Sequence, residues 1–467
     1  MGSVARPAPF VDLTPIEKTG PKGWLRYIYP FALPDNYDIE HVARIFRAGF
    51  EGARWRMPIM GSEAVPCPSF PGMLKLQDYG DEIEAVKVKD LRGEYPYTFA
   101  ELEAKHFPVS AFDPEVMSRK YGVWPERADE RLPIVIGQLN FIKGGVIVNF
   151  CSFHSYSDGN TCYMWTRTWA EECRRASGED VIPFEVKEPA ILDDRSRAMK
   201  SSGKNPAKWE DHPEYVELPF VPESAPPKLY ARNHRSQIFY FSPEKLAQLK
   251  AECNPSNATS VTAEKPKFIS TNDALTGLVW QTVMKAQHPK EELDHRMDRK
   301  STMAVSVDTR MRTEPPVHPL TIGNFYVVVN SQMDMRNIIT TANPADMACA
   351  VRHAVSRAKK GLYDDMCSLI EKLDHYGKMA PSAFLDLPGD NITQTTWVDY
   401  PLCDLNWGKD IGCMKAVRHP ANGVLHGLQI VMPTLPDGGL EVSVGAIDDG
   451  LEKILRDETF MKFAEAR

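Results

Sequence analysis

The chain lacks any apolar run near the roughly 20 residues that a membrane-spanning helix requires. Its first ten residues, MGSVARPAPF, contain no apolar core of the kind that a signal peptide carries. They begin Met-Gly, but Arg6 occupies the position where a myristoylation signal has Ser or Thr. We therefore expect no secretory leader, no lipid anchor and no membrane partner.

Closely spaced cysteines and an excess of positive charge are also absent. The nine cysteines are scattered without a CxxC pair, so reduced thiols in a cytoplasmic protein are the simplest interpretation. Lys and Arg number 55 against 63 Asp and Glu, which gives a net charge of -8. A chain with this balance is not expected to have a nucleic acid as its main partner.

Three common catalytic signatures are missing as well. The chain has no GxSxG nucleophile elbow, no GxxxxGK[ST] phosphate loop and no GxGxxG following a strand. Hydrolase, nucleotide triphosphatase and dehydrogenase functions therefore lack sequence support. No His or Asp is accompanied by a third and fourth ligand at a metal-binding spacing, so we expect no metal site.

The composition is typical of a globular protein, with 43% hydrophobic and 25% charged residues. A chain of 467 residues is too long for one ordinary core, which predicts two domains. Hydrophobic periodicity fades between residues 179 and 228, where Lys, Pro, Ser and Asp dominate. We therefore assign residues 1–200 to a first domain, 201–230 to a crossover linker and 231–467 to a second domain.

The clearest local pattern is a pair of apolar runs at residues 134–142 and 146–153, separated by a Lys-Gly-Gly turn. This pattern predicts a β-hairpin, whose antiparallel pairing excludes a repeated βαβ arrangement in this region. The second run ends at His154, and Asp158-Gly159 then predicts a turn into a helix. That helix is expected to end near residues 177–178.

Periodicity predicts the remaining elements more coarsely. We predict further helices at residues 39–53, 97–106, 243–253 (with Ser242 as N-cap), 270–286, 344–373 and 452–464. We predict further strands at residues 25–31, 82–91, 236–241, 302–308, 325–333, 424–432 and 439–446. Residues 57–73 and 254–266 are expected to be irregular.

His154 has three interpretations from the residues alone. A histidine beside a strand is more often a satisfied core residue than a catalyst. The polar turn Ser155-Tyr156-Ser157 and the adjacent Gly159 favour instead a general base held at the rigid end of a strand, facing a cavity. A metal ligand is the third interpretation, and no further ligands support it.

The segment HSYSDG at residues 154–159 resembles the HxxxDG motif that BAHD acyltransferases share with peptide-synthetase condensation domains. Condensation domains carry a second histidine directly before the first, and Phe153 stands there, which favours the BAHD family. Four further elements resemble the family's DxR, GN, TSW and DFGWG motifs in the expected order: Asp308-Thr309-Arg310, Gly323-Asn324, Thr395-Thr396-Trp397 and Asp404-Leu405-Asn406-Trp407-Gly408.

Within the family the chain is most similar to fungal trichothecene 3-O-acetyltransferases. The similarity rests on KVKDLR (87–92), QLNFIKGG (138–145), STNDAL (270–275) and MPTLPDGG (432–439). Leu405 and Asn406 depart from the Phe and Gly of the family motif, which puts the local loop geometry and the mouth of the cofactor site in question.

The resemblance implies an α/β architecture of the α+β type. Two similar-sized domains of chloramphenicol-acetyltransferase-like fold would each contain a mixed sheet flanked by helices. The active site would lie in a tunnel at the domain interface, with the acyl donor and the acceptor entering from opposite faces.

The resemblance also implies a role for each motif residue. His154 would act as the general base, and Asp158 would pair with Arg310 and brace the loop rather than relay a proton. Trp397, with Thr395 beside it, would stabilise the oxyanion, although a core aromatic is an equal alternative. The remaining supporting residues of the site would be Gly159, Asp308 and Asn324.

Acyl-CoA would be a co-substrate, with no permanently bound cofactor. Helix N-capping and solvent exposure are the alternatives for the candidate CoA contacts. These candidates are Ser270, Thr271, Asp404, Trp407, Gly408 and Lys409.

The predicted function is therefore an acyl-CoA-dependent O-acyltransferase, with acetyl-CoA as the expected donor and a hydroxyl of a fungal secondary metabolite as the acceptor. We expect a monomer whose partners are the acyl-CoA and a small-molecule alcohol. A condensation-type enzyme with a carrier-bound donor, an N-acyltransferase and a binding protein without turnover are the alternatives.

Overall fold

The computed structural model describes residues 13–127, 129–182, 195, 198–204, 206–224, 227–230, 233–260, 264–288 and 299–467. In chain order the α-helices of these residues are α1 (Pro15–Thr19), α2 (Ile39–Arg56), α3 (Phe99–Ala104), α4 (Pro114–Met117), α5 (Gly159–Ala176), α6 (Pro243–Glu252), α7 (Thr271–Gln287), α8 (Met335–Thr340), α9 (Pro344–Arg357), α10 (Leu362–Ile370), α11 (Asp448–Leu455) and α12 (Glu458–Met461).

The strands of the described residues form four sheets. The strands are β1 (Trp24–Ala32), β2 (Ser62–Pro66), β3 (Leu74–Asp78), β4 (Val86–Asp90), β5 (Leu132–Pro133), β6 (Val135–Ile142), β7 (Gly145–Phe153), β8 (Tyr215–Glu217), β9 (His234–Phe241), β10 (Lys300–Asp308), β11 (Tyr326–Asp334), β12 (Met379–Pro381), β13 (Asn391–Thr396), β14 (Leu428–Val431), β15 (Leu440–Ile447) and β16 (Glu465–Ala466).

The first half of the chain is built around a mixed sheet in the order β1-β7-β6-β4. Strands β6 and β7 form the predicted hairpin, with Ile142 opposite Gly145 and Gly144 at φ +79° in the turn. Every residue of both strands is buried. Burial on both faces explains why these strands read as continuous apolar runs rather than as an alternating pattern.

Helices α2 and α5 cover this sheet. Phe46 and Phe50 of α2 pack edge-on against Trp169 of α5, whose indole N–H donates to the Phe46 carbonyl at 2.9 Å. The predicted end of α5 is confirmed, because the helix stops at Ala176 and Gly178 adopts φ +79°. The long helix that leaves His154 is therefore anchored along its length in an aromatic core.

The second half contains a seven-stranded mixed sheet in the order β11-β10-β13-β14-β15-β9-β16. Helix α7 packs on it with almost every residue buried, which the predicted helix at 270–286 anticipated closely. Ser270 caps α7 and Ser242 caps α6, both through bonds accepted from a backbone N–H three residues on.

Residues 397–424 belong to the second half in sequence but pack largely in the core of the first. Trp397, Trp407 and Met414 lie in the same apolar cluster as β1, β7 and α5. Arg418 also exchanges backbone hydrogen bonds with Ile28 of β1, at 2.8 and 2.9 Å. The proposed division into residues 1–200, 201–230 and 231–467 remains a prediction. The segment 397–424 joins the two halves of the chain, because it packs in the core of the first half.

Two sequence predictions were wrong, and an interior strand was missed. Residues 57–73, expected to be irregular, contain β2 and lead into β3, which pair with each other. Strand β13 was not predicted because its Thr and Gln side chains hide the apolar pattern of an interior strand. The closing helix at 452–464 is instead split into α11 and α12.

Residues 205, 225 and 226 of the predicted linker lie outside the described residues, as do residues 183–194, 196 and 197 of the predicted first domain, so these parts cannot be compared. The same holds for residues 261–263 of the predicted loop at 254–266 and for residues 1–12. Of the described helices, none is both long and apolar enough to cross a membrane.

Candidate active site

His154 follows directly on β7 and opens a short 3₁₀ turn, His154–Tyr156. Its backbone N–H donates to the Gly23 carbonyl at 2.8 Å, immediately before β1 begins. The histidine therefore stands at the fixed end of two paired strands, which is the rigid mounting that a general base needs.

The side chain of His154 is held in one tautomer. Nδ1 lies 2.7 Å from the carbonyl oxygen of Ser157. Because a carbonyl only accepts, Nδ1 carries the proton and Nε2 keeps a free lone pair. Burial lowers the pKa of His154 below its ordinary value, so the imidazole is neutral at pH 7.

Asp158 occupies two structural positions at once. It is the N-cap of α5, where Oδ1 accepts from the Thr161 N–H at 3.0 Å. It also receives both arms of the Arg310 guanidinium, at 2.7 and 3.1 Å, and the Phe325 N–H at 3.1 Å. Asp158 is therefore both the helix cap of α5 and the ion-pair partner of Arg310.

The electrostatics of this pair follow from its burial, since Arg310 is 1% and Asp158 6% exposed. Burial alone would raise the pKa of Asp158, but Arg310 and the hydrogen bonds outweigh it and hold that pKa below its usual range. Asp308 accepts at 3.2 Å from the same Arg310 Nη1 that donates to Asp158. Asp158 is thus a fixed anion facing Arg310.

Arg310 ties the α5 entry to the loop before β11. Its Nε donates to the Thr321 carbonyl at 2.8 Å and Nη2 to the Gly323 carbonyl at 3.1 Å. Asn324, next in this loop, donates from Nδ2 to the His154 carbonyl at 3.1 Å. The DxR and GN elements are therefore brought to the HxxxDG turn from about 150 residues away.

Gly159 is required by a close approach. A Cβ at this position would lie 2.6 Å from the ring of Tyr400, which stacks on Tyr163 with ring centroids 5.9 Å apart. The glycine lets the segment that follows Trp397 pack against the first turn of α5. It therefore serves packing in this structure.

Thr395 lies near the end of β13, and Trp397 follows the strand directly. Trp397 is 7% exposed, packs on Tyr27 with centroids 4.8 Å apart, and its indole N–H has no partner among the described residues. Thr395 is half-buried, pairs in register with Ile430 and shares the strand face of Trp397 by the alternation of side chains. An unpaired indole N–H is available to an oxyanion.

Ser270 and Thr271 differ in what they can offer a cofactor. The Ser270 hydroxyl donates to the Asp273 carboxylate at 2.8 Å and accepts from the Asp273 N–H at 3.1 Å, so N-capping fully explains it. Thr271, the first residue of α7, is half-buried, and its hydroxyl has no described partner.

The candidate CoA contacts of the DLNWG segment also differ in whether their side chains are accessible to a cofactor. Trp407 is fully buried against Phe31, Phe46 and Trp169, so it has no surface to offer CoA and acts in packing. Gly408 adopts φ +111° against the end of α5. Asp404 and Lys409 are exposed, and the Lys409 N–H donates to Glu179 at 2.7 Å.

Three residues that the sequence did not single out also border the site. The Tyr326 ring lies over His154 with centroids 5.7 Å apart, Tyr400 packs on Gly159, and the Glu17 carboxylate accepts from the Asn324 N–H at 3.2 Å. Glu17 could have been found from the sequence as part of a helix start, because Thr14 and Glu17 have the spacing of a capping box and form one in the structure. Nothing in the local sequence of Tyr326 or Tyr400 marks either residue.

No group of three metal-ligating side chains suited to a metal ion occurs among the described residues. All nine cysteines are described and none forms a disulfide, which confirms the expectation of free thiols.

Comparison with known proteins gives consistent matches. Residues 119–457 match the model of the Transferase family, and residues 25–166 match the Trichothecene 3-O-acetyltransferase-like N-terminal domain. Acyltransferase cm3D of Cordyceps militaris is 23% identical, over 100% of this chain and 98% of its own length. Enoyl-CoA isomerase/hydratase claC of Penicillium crustosum is 25% identical over 97% of this chain, which spans 50% of that protein.

The fold comparison agrees with the predicted class. The crystal structure of F. graminearum TRI101 complexed with coenzyme A and T-2 mycotoxin superposes with a TM-score of 0.81 at 18% identity, covering 98% of this chain and 99% of that one. This similarity confirms the predicted α/β fold of mixed sheets flanked by helices. The chain therefore belongs to the Transferase family, as the BAHD-type, acyl-CoA-dependent acyltransferase that its motifs predict.

Proposed function

We propose that the protein transfers an acetyl group from acetyl-CoA to a hydroxyl of a fungal secondary metabolite, with His154 as general base. The observation that carries the proposal is the His154 tautomer, because the Ser157 carbonyl holds the proton on Nδ1 and leaves Nε2 free. Burial keeps the ring neutral by lowering its pKa, which matches the protonation state that a base requires.

The reaction needs two proton movements at one nitrogen. Nε2 takes the proton of the acceptor hydroxyl while that oxygen attacks the thioester carbonyl, and the imidazolium then gives the proton to the departing CoA thiolate. An ester forms, the thioester bond breaks, and no acyl-enzyme is required. A thioester is already an activated donor, so a positioned base and an oxyanion donor are sufficient.

Asp158 has a positioning role in this proposal and makes no contact with the His154 ring. Its two oxygens are committed to Arg310 and to the N–H groups of Thr161 and Phe325. A carboxylate so engaged cannot accept a proton from Nδ1, which already donates to Ser157. The ion pair instead holds the turn that carries His154.

The donor would reach His154 between the two halves of the chain, near the segment at 397–424 that joins them. Thr271 at the start of α7 and the exposed Asp404 and Lys409 remain our candidates for contacts with CoA.

We further propose a cytoplasmic monomer, since the nine thiols are unpaired and both halves of the site come from one chain.

Replacing Trp397 with phenylalanine tests the oxyanion role. Phe preserves most of the packing on Tyr27 but removes the indole N–H, so we expect kcat to fall by about 10²- to 10³-fold with the protein still folded. Trp165→Phe is the matched control, because Trp165 is fully buried in the same core and its N–H also has no partner within the described part of the chain. Equal losses in the two variants would assign Trp397 to the core alone.

The reaction class is tested by the choice of donor. Purified protein is assayed for CoA release with acetyl-CoA and a panel of terpenoid alcohols and matching amines, and in parallel with an acetyl group loaded on a carrier protein. We expect release that depends on an alcohol. Transfer only from the carrier would establish the condensation alternative, transfer only to amines an N-acyltransferase, and tight CoA binding without any turnover a binding protein.

A further inference from the structure

The carboxylate of Glu17 is fully enclosed, with its side chain 0% exposed, at the short helix α1. Its oxygens accept from the Arg195 guanidinium at 2.5 Å and from the Thr14 N–H at 2.9 Å. Burial raises the pKa of Glu17 despite the arginine. Burying an ion pair in this way gives little net stability compared with apolar packing, so its position is more informative than its energy.

Glu17 contacts the loop that holds the catalytic turn. Oε1 accepts from the Asn324 N–H at 3.2 Å, and a Cβ on the neighbouring Gly323 would lie 2.6 Å from the same oxygen. The Asn324 side chain in turn donates to the carbonyl of His154 at 3.1 Å, with a longer contact of 3.5 Å to that of Ser155. One buried carboxylate is thus two hydrogen bonds from the backbone of His154.

The residues after α1 hold the same turn from its other side. The Ser155 hydroxyl donates to the Pro21 carbonyl at 2.9 Å, and the His154 N–H donates to the Gly23 carbonyl at 2.8 Å. Gly20 lies so close that a Cβ there would be 3.0 Å from the Ser155 backbone. The segment 14–23 and the loop at Asn324 therefore enclose the turn between them.

We propose that Glu17 is a positioning residue for His154 that acts through Asn324, in addition to the Asp158–Arg310 pair, which holds the neighbouring Gly323 and Phe325 of the same loop. The inference rests on the proposed role of His154 as the base. Asp158 and Arg310 anchor the turn at the α5 entry, whereas Glu17 and Asn324 anchor the His154 carbonyl. Both anchors are needed because a displacement of about 1 Å at the reacting atoms lowers turnover by about 10²-fold.

The direct test is Glu17→Gln, which keeps the shape of the side chain and removes its charge. We expect kcat to fall by about 10- to 100-fold while the KM for acetyl-CoA stays within about twofold, since the anchor orients the base and touches no CoA contact. The matched control is Glu441→Gln, because Glu441 forms a similarly buried pair with Arg418, at 2.7 and 3.0 Å, with no contact to the catalytic turn. Its kcat should remain within about twofold of the wild type.

A double-mutant cycle with Asn324→Ala shows whether Glu17 acts through Asn324. We expect Asn324→Ala to lower kcat to a similar extent, and the double variant to be no slower than the slower single variant. Independent, multiplying losses would overturn the inference, as would a Glu17→Gln variant with wild-type kcat or one that loses no more than Glu441→Gln. Should Glu17→Gln fail to fold, Glu17→Asp takes its place in the cycle, because it keeps the charge beside Arg195 while its shorter side chain withdraws from the Asn324 N–H.

Failure of this inference and failure of the proposed function give different results. If His154→Ala is inactive and Glu17→Gln is not impaired, His154 remains the base and only the second anchor is rejected. If His154→Ala retains full turnover, the base assignment is wrong whatever Glu17 does.

Discussion

Replacing His154 with alanine is expected to lower kcat by about 10²- to 10⁴-fold, the range that a general base contributes. Folding should be nearly unaffected, because the substitution removes one hydrogen bond to the Ser157 carbonyl, worth about 1 kcal/mol. The measurement is CoA release with acetyl-CoA and an active acceptor, together with a thermal melt of the same preparation.

His154→Asn separates the base from its hydrogen bond. The amide Nδ2 can still donate to Ser157 from the position of Nδ1, while nothing replaces Nε2. Turnover should therefore remain as low as in His154→Ala while the melt recovers. Substantial recovery of kcat in His154→Asn would show that the ring positions substrate and takes no proton.

Replacing Asp158 with alanine is expected to lower the free energy of unfolding by about 3–5 kcal/mol, because Arg310 is left charged and buried without its main partner. Loss of the helix cap alone would cost about 1 kcal/mol. Turnover should also fall, since the turn carrying His154 loses its anchor. Urea unfolding monitored by tryptophan fluorescence gives the free energy, and CoA release gives the rate.

Ser242→Ala is the control for the cap, because Ser242 caps α6 at the surface without an ion pair. A loss for Asp158→Ala no larger than for Ser242→Ala would contradict the buried-pair account. The pH dependence provides a second check. Since the folded-state pKa of Asp158 is lowered, the contribution is complete above the ordinary carboxyl pKa of about 3.9 and is lost as the pH falls through the lower folded value.

The hairpin, the position of His154 at its end and the helix after it could be predicted because their signals are local, whereas the role of His154 needed the family resemblance. Because both faces of β6 and β7 are buried, the sequence of each strand is a nearly continuous apolar run. The pairing of Asp158 with Arg310 needed the family resemblance, since 152 residues separate the two side chains.

Other parts of the site could not be read from the sequence for physical reasons. Strand β13 is polar although it is interior: the Thr393 hydroxyl donates to the Ala304 carbonyl, and Gln394 donates from Nε2 to the Thr276 hydroxyl. Glu17 meets Arg195 across 178 residues, and no local pattern records such a contact. The CoA prediction for Trp407 failed because a tryptophan near a motif glycine looks the same in sequence whether it faces a ligand or the core.

We propose that His154 performs the proton transfer and that Asp158 holds His154 in position without taking part in the chemistry. The most direct test measures kcat and the free energy of unfolding side by side in His154→Ala and Asp158→Ala. The account predicts that His154→Ala loses at least about 10²-fold in kcat with a change in stability near 1 kcal/mol, and that Asp158→Ala loses about 3–5 kcal/mol of stability. Near-normal turnover in a folded His154→Ala protein, or an Asp158→Ala protein as stable as the wild type, would contradict it.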